Sequence, residues 1–494
     1  MQIPFDNRYV ALGEDFFARS TPTPVRKPGL IRFNDALAGE LGMATDHVSA
    51  SAADIFSGNT LPEGAEPLAM VYAGHQFGHF NPQLGDGRAI VLGEISGADG
   101  ARYVIQLKGS GPTRYSRNGD GRSAIGPVLR EYLVSEAMQQ LNVPTTRALA
   151  AVTTGEAVVR ERLLPGGVIT RVASSFIRVG SFQYFAARGD YAAVKQLADY
   201  VIEKSYPPLA DNEKPYAGLL EAVVQRQAAL IAQWMQLGFI HGVMNTDNMS
   251  IAGETIYYGP CAFMDAYQHD QVFSSIDHHG RYAYNQQPSI GLWNLSRLAE
   301  TLLPLLDENP QAAVQVAHEV LEPYAGRYES HWLAGMREKC GLTACSHDMD
   351  GDDKNLIEDL LNVMADNRAD FTLTFYFLSH LSGQPSEQDD DLRDLFDDSA
   401  QIDAWLEQWR RRLGLEVQGD AARQAAMQSV NPVYIPRNHQ VEAAIRAAED
   451  EGDFSVFHEL HAVLQKPFVR QTGKDRYMLA PEPEEVVEYT FCGT

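Results

Sequence analysis

Residues 241–249 of this chain read His-Gly-Val-Met-Asn-Thr-Asp-Asn-Met, and this short stretch decides how the rest of the sequence is interpreted. It follows a segment with helical spacing that ends at Ile240. It precedes two runs of strand formers that predict a β-hairpin over residues 249–259. Asp247 and Asn248 lie in the loop between helix and hairpin, where an adjacent carboxylate and amide offer oxygen atoms to a proton or a metal ion.

The spacing of two residues in this stretch matches the catalytic loop of kinase-like phosphotransferases. Those enzymes carry the pattern H-x-D-x-x-x-x-N, in which Asp is the base and Asn binds magnesium. His241 and Asn248 keep the spacing, but Val243 occupies the Asp position. A phosphotransferase without its base is impaired, so either the chain is inert or the chemistry has moved. Asp247, beside Asn248, is the carboxylate that can take over.

A second departure from the kinase pattern concerns the metal. After the hairpin a kinase presents D-F-G, whose Asp bridges magnesium to the phosphates. The corresponding residues here are Tyr257-Tyr258-Gly259, so a phenol stands in the Asp position. A phenol with a pKa of about 10 is a weak magnesium ligand compared with a carboxylate. The sequence therefore predicts weakened metal binding.

A Gly-rich hairpin upstream contains the elements of a phosphate site. Residues 85–88 read Gly-Asp-Gly-Arg, and strand patterns follow over 89–94 and 103–108 with a turn at 97–100. Lys108 ends the second strand and precedes Gly-Ser-Gly-Pro-Thr. A lysine there can bind a phosphate while the loop amides surround its neighbours. An exposed lysine before an ordinary turn is the alternative, and the hairpin taken alone favours it.

An amphipathic helix predicted over residues 126–141 carries two glutamates, Glu131 and Glu136. In nucleotide kinases a helix Glu holds the strand Lys against the phosphates. Either glutamate can fill that role, and either can be a solvated carboxylate instead. The spacing does not choose between them.

Arginines cluster around this region. Arg114, Arg117 and Arg122 lie between strand and helix, and Arg171 and Arg178 follow the helix. A guanidinium matches phosphate oxygens with a planar fork of donors, so the cluster indicates an anion site. On a helix, the spacing of Arg171 and Arg178 would put both on one face. Structural salt bridges are an equal alternative for that pair.

The chain has 494 residues and a net charge of −25, which argues against a nucleic-acid or anionic-membrane partner. Its hydrophobic content of 45% excludes a disordered acidic tail. The acidity is uneven, because residues 201–494 hold 21 basic and 46 acidic side chains whereas residues 101–200 hold 13 basic and 7 acidic. The N-terminal part is therefore the part predicted to bind an anionic ligand.

The composition and periodicity of the sequence change near residue 190. Residues 70–178 are rich in Gly, β-branched residues and turn signals, which is typical of sheet and loops. Beyond residue 190, helical spacing predominates, and helices are predicted over 191–204, 216–237, 291–306, 355–365 and 439–449. We therefore predict an α+β fold with an α/β nucleotide-binding lobe over residues 1–190 and a mainly helical lobe over 191–494. The acidic segment 345–400 is predicted to be a solvated surface feature.

Four cysteines, Cys261, Cys340, Cys345 and Cys492, are too few for a disulfide framework and contain no CxxC pair. That usage is typical of a reducing cytosol. The N-terminus lacks the features of a signal or transit peptide, and no apolar run reaches the roughly 18 residues that cross a bilayer. We therefore expect a soluble, cytoplasmic protein without a membrane partner.

With these motifs identified, the chain resembles the selenoprotein O family of kinase-fold proteins. The resemblance covers nearly the whole chain, and its long motifs are highly specific. The matching passages are residues 5–7, 72–78, 84–88, 106–113, 115–122, 130–138, 245–250 and 431–432.

Members of that family are protein adenylyltransferases, which bind ATP flipped relative to a kinase and transfer AMP to Ser, Thr or Tyr hydroxyls. The resemblance implies Glu131 as the partner of Lys108, Asp247 as the proton acceptor and Asn248 as a ligand of Mg²⁺ or Mn²⁺. A flipped nucleotide accounts for the missing Asp at position 243, because the new pose needs a base elsewhere. The implied nucleotide contacts are Gly85, Gly87, Arg88, Lys108, Asp120, Gly121, Arg171 and Arg178.

Two positions depart from the family pattern. The family has a metal-binding Asp where this chain has Tyr257, which puts metal affinity and turnover in question. Cys492 matches a C-terminal selenocysteine or Cys that in some members pairs with a Cys of the activation segment. Residues 262–291 contain no Cys, so a redox switch of that kind would need Cys261.

The motifs and the resemblance together predict a two-lobed protein-kinase-like (pseudokinase) fold. The predicted reaction is transfer of AMP from ATP to protein hydroxyls, with release of pyrophosphate. Two other functions stay open. The chain can be a catalytically impaired nucleotide-binding pseudoenzyme, because of Tyr257, or a kinase-like small-molecule phosphotransferase. The expected partners are ATP, Mg²⁺ or Mn²⁺, and proteins with an acceptor Ser, Thr or Tyr.

Overall fold

Strands are concentrated in the first third of the chain and helices in the rest. The computed structural model describes residues 3–43, 48–343 and 349–491. The strands are β1 (Phe17–Arg19), β2 (Gly29–Phe33), β3 (Leu68–Met70), β4 (Gly74–Gln76), β5 (His79–Asn81), β6 (Ala89–Ser96), β7 (Arg102–Lys108), β8 (Ser123–Ala124), β9 (Arg147–Val159), β10 (Leu163–Ala173), β11 (Phe239–Ile240) and β12 (Ala262–Phe263).

The helices of the described residues fall mainly after β10. They are α1 (Asp35–Glu40), α2 (Val48–Ser57), α3 (Ile125–Gln140), α4 (Val179–Ala186), α5 (Tyr191–Ser205), α6 (Pro215–Gln236), α7 (Gln287–Leu306), α8 (Pro310–Leu321), α9 (Tyr324–Cys340), α10 (Asp350–Asn367), α11 (Phe371–Leu378), α12 (Asp389–Arg393), α13 (Ser399–Leu413), α14 (Asp420–Val430), α15 (Asn438–Arg446) and α16 (Ser455–Leu464). The predicted α+β class with a helical C-terminal region is confirmed. Within the described ranges, no helix has both the length and the apolar character that a membrane span needs.

One large antiparallel sheet organises the N-terminal part. Its strands lie in the order β1-β3-β6-β7-β10-β9-β2, with β8 paired to β10. The predicted hairpin is confirmed as β6 and β7, whose register places Ala89 opposite Lys108. In the neighbouring β10, Arg171 lies opposite Gln106. Since side chains alternate along a strand, Gln106, Lys108 and Arg171 share one face of the sheet.

The two faces of the sheet are buried against different helices. On one face, Ile105 and Leu107 pack in an apolar cluster with Leu37 of α1 and Phe56 of α2. The other face carries the polar side chains and receives α3, which packs against β9 and β10. Burial of the apolar face holds the sheet in place, so the polar residues of the opposite face project in a defined direction.

Helix α3 is fixed from both sides. The predicted helix over residues 126–141 is confirmed with its limits shifted by one residue. Its outer side packs against α15 and α16, where the ring of Tyr132 meets that of Phe457 edge-on at 5.6 Å. The Gly126 N–H in its first turn donates to the Glu449 carboxylate at 3.1 Å, which places negative charge at the positive end of the helix dipole. The C-terminal helices therefore help to set the position of α3 over the sheet.

The segment 241–261 lies between β11 and β12, which pair through Phe239 with Phe263. Residues Thr246–Asn248 form one 3₁₀ turn. The prediction of a hairpin over 249–259 is wrong, because Ser250 forms a β-bridge with Arg178 and Thr255 forms one with Thr145. The strand formers pair with the N-terminal part rather than with each other, and this pairing ties the loop to the large sheet.

The predicted helices of the C-terminal part correspond to α5, α6, α7, α10 and α15. The interpretation of segment 345–400 as a solvated surface is wrong in part, because Asp353, Asp370 and Asp389 are buried, as are many apolar side chains between residues 356 and 381. Asp353 is fully buried and accepts from Arg337 at 2.8 Å and Arg412 at 2.6 Å. Asp389 is fully buried against Arg410 at 2.7 Å. Arginine forks neutralise these carboxylates, and that pairing makes their burial tolerable.

Candidate active site

A cleft of about 460 Å³ opens between the polar face of the sheet and the loop that carries Asp247. Glu131 does not line the cleft itself, but it forms an ion pair with Lys108, which does. Arg117 and Arg122 also line the cleft, whereas Arg114 does not. The other predicted residues that line it are Gly85, Gly87, Arg88, Lys108, Asp120, Gly121, Arg171, Arg178, Asp247 and Asn248.

The structure selects Glu131 as the partner of Lys108. Lys108 Nζ forms an ion pair with Glu131 Oε2, and Arg171 Nη1 donates to Oε1 of the same carboxylate at 3.0 Å. Burial lowers the pKa of Lys108 to about 8, against the opposing effect of the Glu131 charge. Burial acts to raise the pKa of Glu131, but the charges of Lys108 and Arg171 outweigh it and hold that pKa below its ordinary value. The lysine is thus held as a cation at the wall of the cleft.

Glu136 has a different role. Its carboxylate accepts from Arg147 Nε and Nη2, each at 3.0 Å, and from the Ala148 N–H at 2.8 Å. Two side chains five residues apart on an α-helix are rotated by well over 90° from each other about the helix axis, so Glu131 and Glu136 point in different directions. Glu136 therefore joins α3 to the start of β9 and does not reach the cleft.

Arg171 and Arg178 do not share a helix face, because Arg171 lies in β10 and Arg178 directly precedes α4. The β-branched residues around Arg171 are paired on both sides by β7 and β9, which excludes a helix there. Arg178 Nη1 donates to the Asp247 carbonyl at 3.0 Å, and its guanidinium lies 4.3 Å from the Tyr72 ring centroid. Both arginines also pair with carboxylates, as the structural interpretation requires, and their binding of an anion stays a prediction.

The loop 109–122 closes one end of the cleft. Gly121 has a φ of +63°, and a Cβ there would collide with the carbonyl of Gly111, so only glycine fits. The Asp120 carboxylate receives two hydrogen bonds from Arg160, at 2.9 and 3.2 Å. Arg160 comes from the turn between β9 and β10 and lines the cleft. Its neighbours in the sequence, Glu161 and Arg162, gave no signal of this role.

Asp247 is the carboxylate most suited to accept a proton. Its side chain is buried, and Oδ2 accepts from Gln76 Nε2 at 3.2 Å. Oδ1 is buried without a hydrogen-bond partner among the described residues. Burial raises the pKa of Asp247 to about 6. A carboxylate with a free oxygen and this pKa is ionised at neutral pH and basic enough to act as a general base.

The hairpin of β4 and β5 packs directly over Asp247. A Cβ on Gly74 would lie 2.7 Å from Asp247 Oδ1, so the absent side chain allows the hairpin to approach. The Phe77 N–H at the hairpin turn donates to Asn245 Oδ1 at 3.1 Å and to the Tyr282 hydroxyl at 3.0 Å. The sequence signal for this hairpin was the matching passage 72–78, which by itself suggested no chemical role.

The side chains available to a metal ion are few. Among the described residues there is no group of three or more His, Cys, Asp and Glu side chains that could hold one. The Asn248 amide nitrogen donates to the Val243 carbonyl at 3.0 Å, which orients the side-chain oxygen. Mg²⁺ commonly uses one or two protein ligands, with water and substrate phosphates completing its shell. Asn248 therefore fits an ion that arrives with a nucleotide.

Tyr257 lines the same cleft as Asn248. Its ring centroid is 4.9 Å from Lys108 Nζ, which is a cation–π contact, and the ring lines the cleft. The phenol folds back over Gly259, where a Cβ would collide with its hydroxyl. The residue for which the kinase pattern predicts a metal-binding Asp is thus an aromatic ring in contact with Lys108.

The chain end described by the structure contacts the segment after this site. Thr490 Oγ1 donates to the Pro260 carbonyl at 2.6 Å, and the Thr490 N–H donates to the Phe273 carbonyl at 2.8 Å. Cys261 is buried and lies next to Pro260. Cys492, the residue implicated in a redox switch by the resemblance, lies outside the described residues.

A basic, glycine-lined cleft with a paired lysine and a buried carboxylate defines an enzyme that acts on phosphate esters or anhydrides. A family model described as protein adenylyltransferase SelO matches residues 1–465. Curated relatives named protein nucleotidyltransferase YdiU include that of Rhizobium johnstonii, 59% identical over 99% of this chain and 97% of the relative. Those of Rhodopseudomonas palustris and Rhizobium meliloti are each 58% identical, over 100% and 99% of both chains respectively.

The chain therefore belongs to the SelO family of protein adenylyltransferases. The sequence-based prediction of this family is confirmed, and with it the enzyme class, nucleotidyltransferase.

Proposed function

We propose that this chain binds ATP in the cleft with the α-phosphate beside Asp247 and transfers AMP to a Ser, Thr or Tyr hydroxyl of a protein. The observation that carries the proposal is Asp247 itself, a buried carboxylate in the lining of the cleft whose Oδ1 accepts no hydrogen bond from the described residues. The ion pair of Lys108 and Glu131 supports it, because it holds a cation where the triphosphate would lie. We further propose that residues 1–190 and 191–494 act as the two lobes of a kinase-like fold.

The proposed reaction is a displacement at the α-phosphorus. Asp247 accepts the proton of the acceptor hydroxyl, whose oxygen forms a bond to the α-phosphorus. The bond between the α-phosphorus and the bridging oxygen breaks, and pyrophosphate leaves with that oxygen. Lys108, Arg171 and Arg178 bind the phosphate oxygens and stabilise the charge that develops on them.

Asn248 would hold a Mg²⁺ or Mn²⁺ that enters with ATP, with water and phosphate oxygens as the other ligands. When bound, the ion would neutralise charge on the phosphates. The protein groups orient the nucleotide around it, with Gly85, Gly87 and Arg88 at the start of β6 and Asp120 and Gly121 in the loop opposite.

The test is to incubate the chain with a protein acceptor and ATP labelled at either the α- or the γ-phosphate. We expect label on the acceptor from α-labelled ATP only, with release of pyrophosphate. Label from the γ-phosphate with release of ADP would replace this proposal with ordinary phosphotransfer. Heat-denatured protein provides the control for chemical labelling.

A second candidate is an impaired enzyme that binds ATP but turns it over poorly. The observation in its favour is the ring of Tyr257, which lies against Lys108 where a metal-binding carboxylate is expected. Substitution of Tyr257, described in the Discussion, separates the two candidates.

The first prediction concerns the two glutamates of α3. We expect Glu131→Gln to lower AMP transfer at least about tenfold, because Lys108 and Arg171 lose the charge that holds them at the cleft. The measurement is kcat/KM for ATP. A thermal melt with and without ATP shows whether the loss reflects binding or turnover.

Glu136→Gln is the matched control on the same helix. It leaves Arg147 without its buried carboxylate, so we expect about 2 kcal/mol of lost stability. Below its melting temperature this variant should keep the wild-type kcat/KM. Equal losses of activity in the two variants would contradict the assignment of Glu131 as the partner of Lys108.

The second prediction concerns the approach of the β4–β5 hairpin. We expect Gly74→Ala to lower AMP transfer about 10- to 100-fold, because the added methyl group displaces the Asp247 carboxylate by a fraction of an ångström to an ångström. Gly39→Ala is the control, because a Cβ at that helical position meets no atom within 4 Å. Wild-type activity in Gly74→Ala would show that the hairpin does not position Asp247.

A further inference from the structure

A cluster of two arginines and a tryptophan lies beside the hairpin turn, outside the proposed ATP contacts. Trp293 and Arg297 lie four residues apart on α7, and Arg281 comes from the segment before that helix. The guanidinium carbons of Arg281 and Arg297 are 4.8 and 5.1 Å from the Trp293 ring centroid. The ring of His75 meets the same indole edge-on at 5.2 Å. We call Arg281, Trp293 and Arg297 the cationic rim.

The cationic rim and the proposed base lie on either side of one hairpin turn. Gln76, just before the turn, donates to Asp247 Oδ2 at 3.2 Å. At the turn itself, a Cβ on Gly78 would be 3.6 Å from the guanidinium carbon of Arg281. Tyr282, next to Arg281, donates to Asn245 Oδ1 at 2.6 Å, and Asn245 lines the cleft. A polypeptide with its hydroxyl at Asp247 would therefore pass close to Arg281.

The positive charge of the cationic rim is only partly neutralised. Arg297 pairs with Glu300 at 2.7 Å, an exposed pair within one helix that contributes little. Arg281 forms no ion pair within the described ranges, and its Nε is buried there without an acceptor. Burial lowers the pKa of the nearby His75, and the charges of Arg281 and Arg297 add to that effect. This local positive charge contrasts with the net negative charge of residues 201–494, which hold 46 acidic and 21 basic side chains.

We propose that the cationic rim binds an Asp or Glu side chain of the acceptor protein, close in sequence to the acceptor hydroxyl. This inference rests on the proposed function and specifies its substrate class. A guanidinium stacked on an indole keeps its N–H groups in plane, where they match a carboxylate. Because the surrounding part of the chain is acidic, a local pair of arginines selects a single anionic side chain rather than an acidic protein surface.

The experiment uses the full chain and short labelled peptides that contain one Tyr. Three peptides are compared, in which the positions within about three residues of the Tyr carry Glu, Gln or Lys. Binding is measured by fluorescence anisotropy and does not depend on turnover. We expect the Glu peptide to bind about fivefold more tightly than the Gln peptide, as for one charge-assisted contact at a partly exposed site.

Variants of Arg281 assign the preference to the cationic rim. Arg281→Gln should remove the difference between the Glu and Gln peptides, and Arg281→Glu should make the Lys peptide the tightest. Arg327→Gln is the control, because Arg327 is another arginine of the helical part with a side chain 28% exposed, like that of Arg297. All variants should bind ATP as the wild type does, which verifies that they are folded.

The outcomes separate this inference from the proposed function. Equal binding of the Glu and Gln peptides, or a preference that survives in Arg281→Gln, would overturn the inference. A preference for Glu that depends on Arg281 supports it, even if α-labelled ATP labels no peptide. In that last case the result contradicts the proposed reaction but supports the proposed peptide-binding site.

Discussion

Replacing Asp247 with Asn is expected to lower AMP transfer by about 100- to 10,000-fold, the usual contribution of a general base. Asn has nearly the same shape and can still accept from Gln76, so the packing under the hairpin is preserved. It cannot take the proton of the acceptor hydroxyl. The measurement is single-turnover transfer of α-label at saturating ATP, with the dissociation constant of ATP determined separately.

The pH dependence provides an independent readout of the same residue. Because the pKa of Asp247 is raised to about 6, the carboxylate is protonated and inactive below pH 6 and ionised above it. Wild-type transfer should therefore rise with pH through about pH 6 and level off near neutrality. In Asp247→Asn this rise should be absent.

Asp86→Asn is the comparison for this test, because Asp86 is a second buried carboxylate in the cleft. Its Oδ2 accepts from the Met70 N–H at 3.2 Å and from Gln106 at 3.1 Å, so this oxygen already has two hydrogen-bond donors. We expect Asp86→Asn to retain the rise in activity through about pH 6, whatever its absolute rate. Loss of that rise in Asp86→Asn, with retention in Asp247→Asn, would identify Asp86 as the base instead.

Replacing Tyr257 with Asp is expected to increase AMP transfer at limiting Mg²⁺ or Mn²⁺. The change introduces a carboxylate into the cleft that Asn248 also lines, and it removes a ring from the neighbourhood of Lys108. Loss of even an outer partner of a metal ligand commonly costs 10- to 100-fold in metal affinity, so a new direct ligand should gain at least about tenfold. The measurement is the metal concentration that gives half-maximal transfer.

Tyr257→Phe and Tyr257→Ala separate the two effects of that change. Phe keeps the ring against Lys108 and lacks only the hydroxyl, so it should behave like the wild type. Ala removes the ring without adding a ligand, so any gain it shows comes from space rather than from metal binding. Unchanged metal dependence in Tyr257→Asp would mean that the wild-type site is complete, and would exclude the impaired enzyme as a description of this chain.

Local patterns predicted much of this site. The strand pattern and turn placed Lys108 at the end of β7, and the helical spacing placed both glutamates on α3. These predictions succeed because they depend on contacts between residues close in sequence. The predicted hairpin over 249–259 failed for the converse reason, since Ser250 and Thr255 pair with Arg178 and Thr145, which are distant in the chain.

The chemistry of the ionisable groups depended on partners that no spacing indicates. Asp353 belongs to an acidic segment and yet is buried, because Arg337 and Arg412 reach it from two other helices. Arg160 binds Asp120 from a turn forty residues further along the chain. A charge is stable in the interior only when its counter-charge is in place, and the fold decides where that counter-charge is.

The sequence by itself determined the class of fold, the family and the candidates for each role, because strand and helix periodicity and long motifs are local properties. The tertiary structure pairs Lys108 with Glu131, a choice that the helical spacing left open and the family resemblance implied. Only the tertiary structure separated Arg171 and Arg178 and brought Gln76 and Gly74 against Asp247. The raised pKa of Asp247 and the partly neutralised charge of the cationic rim likewise come from burial and packing. These contacts and this pKa depend on which side chains, distant in sequence, pack together, and only the folded chain determines that.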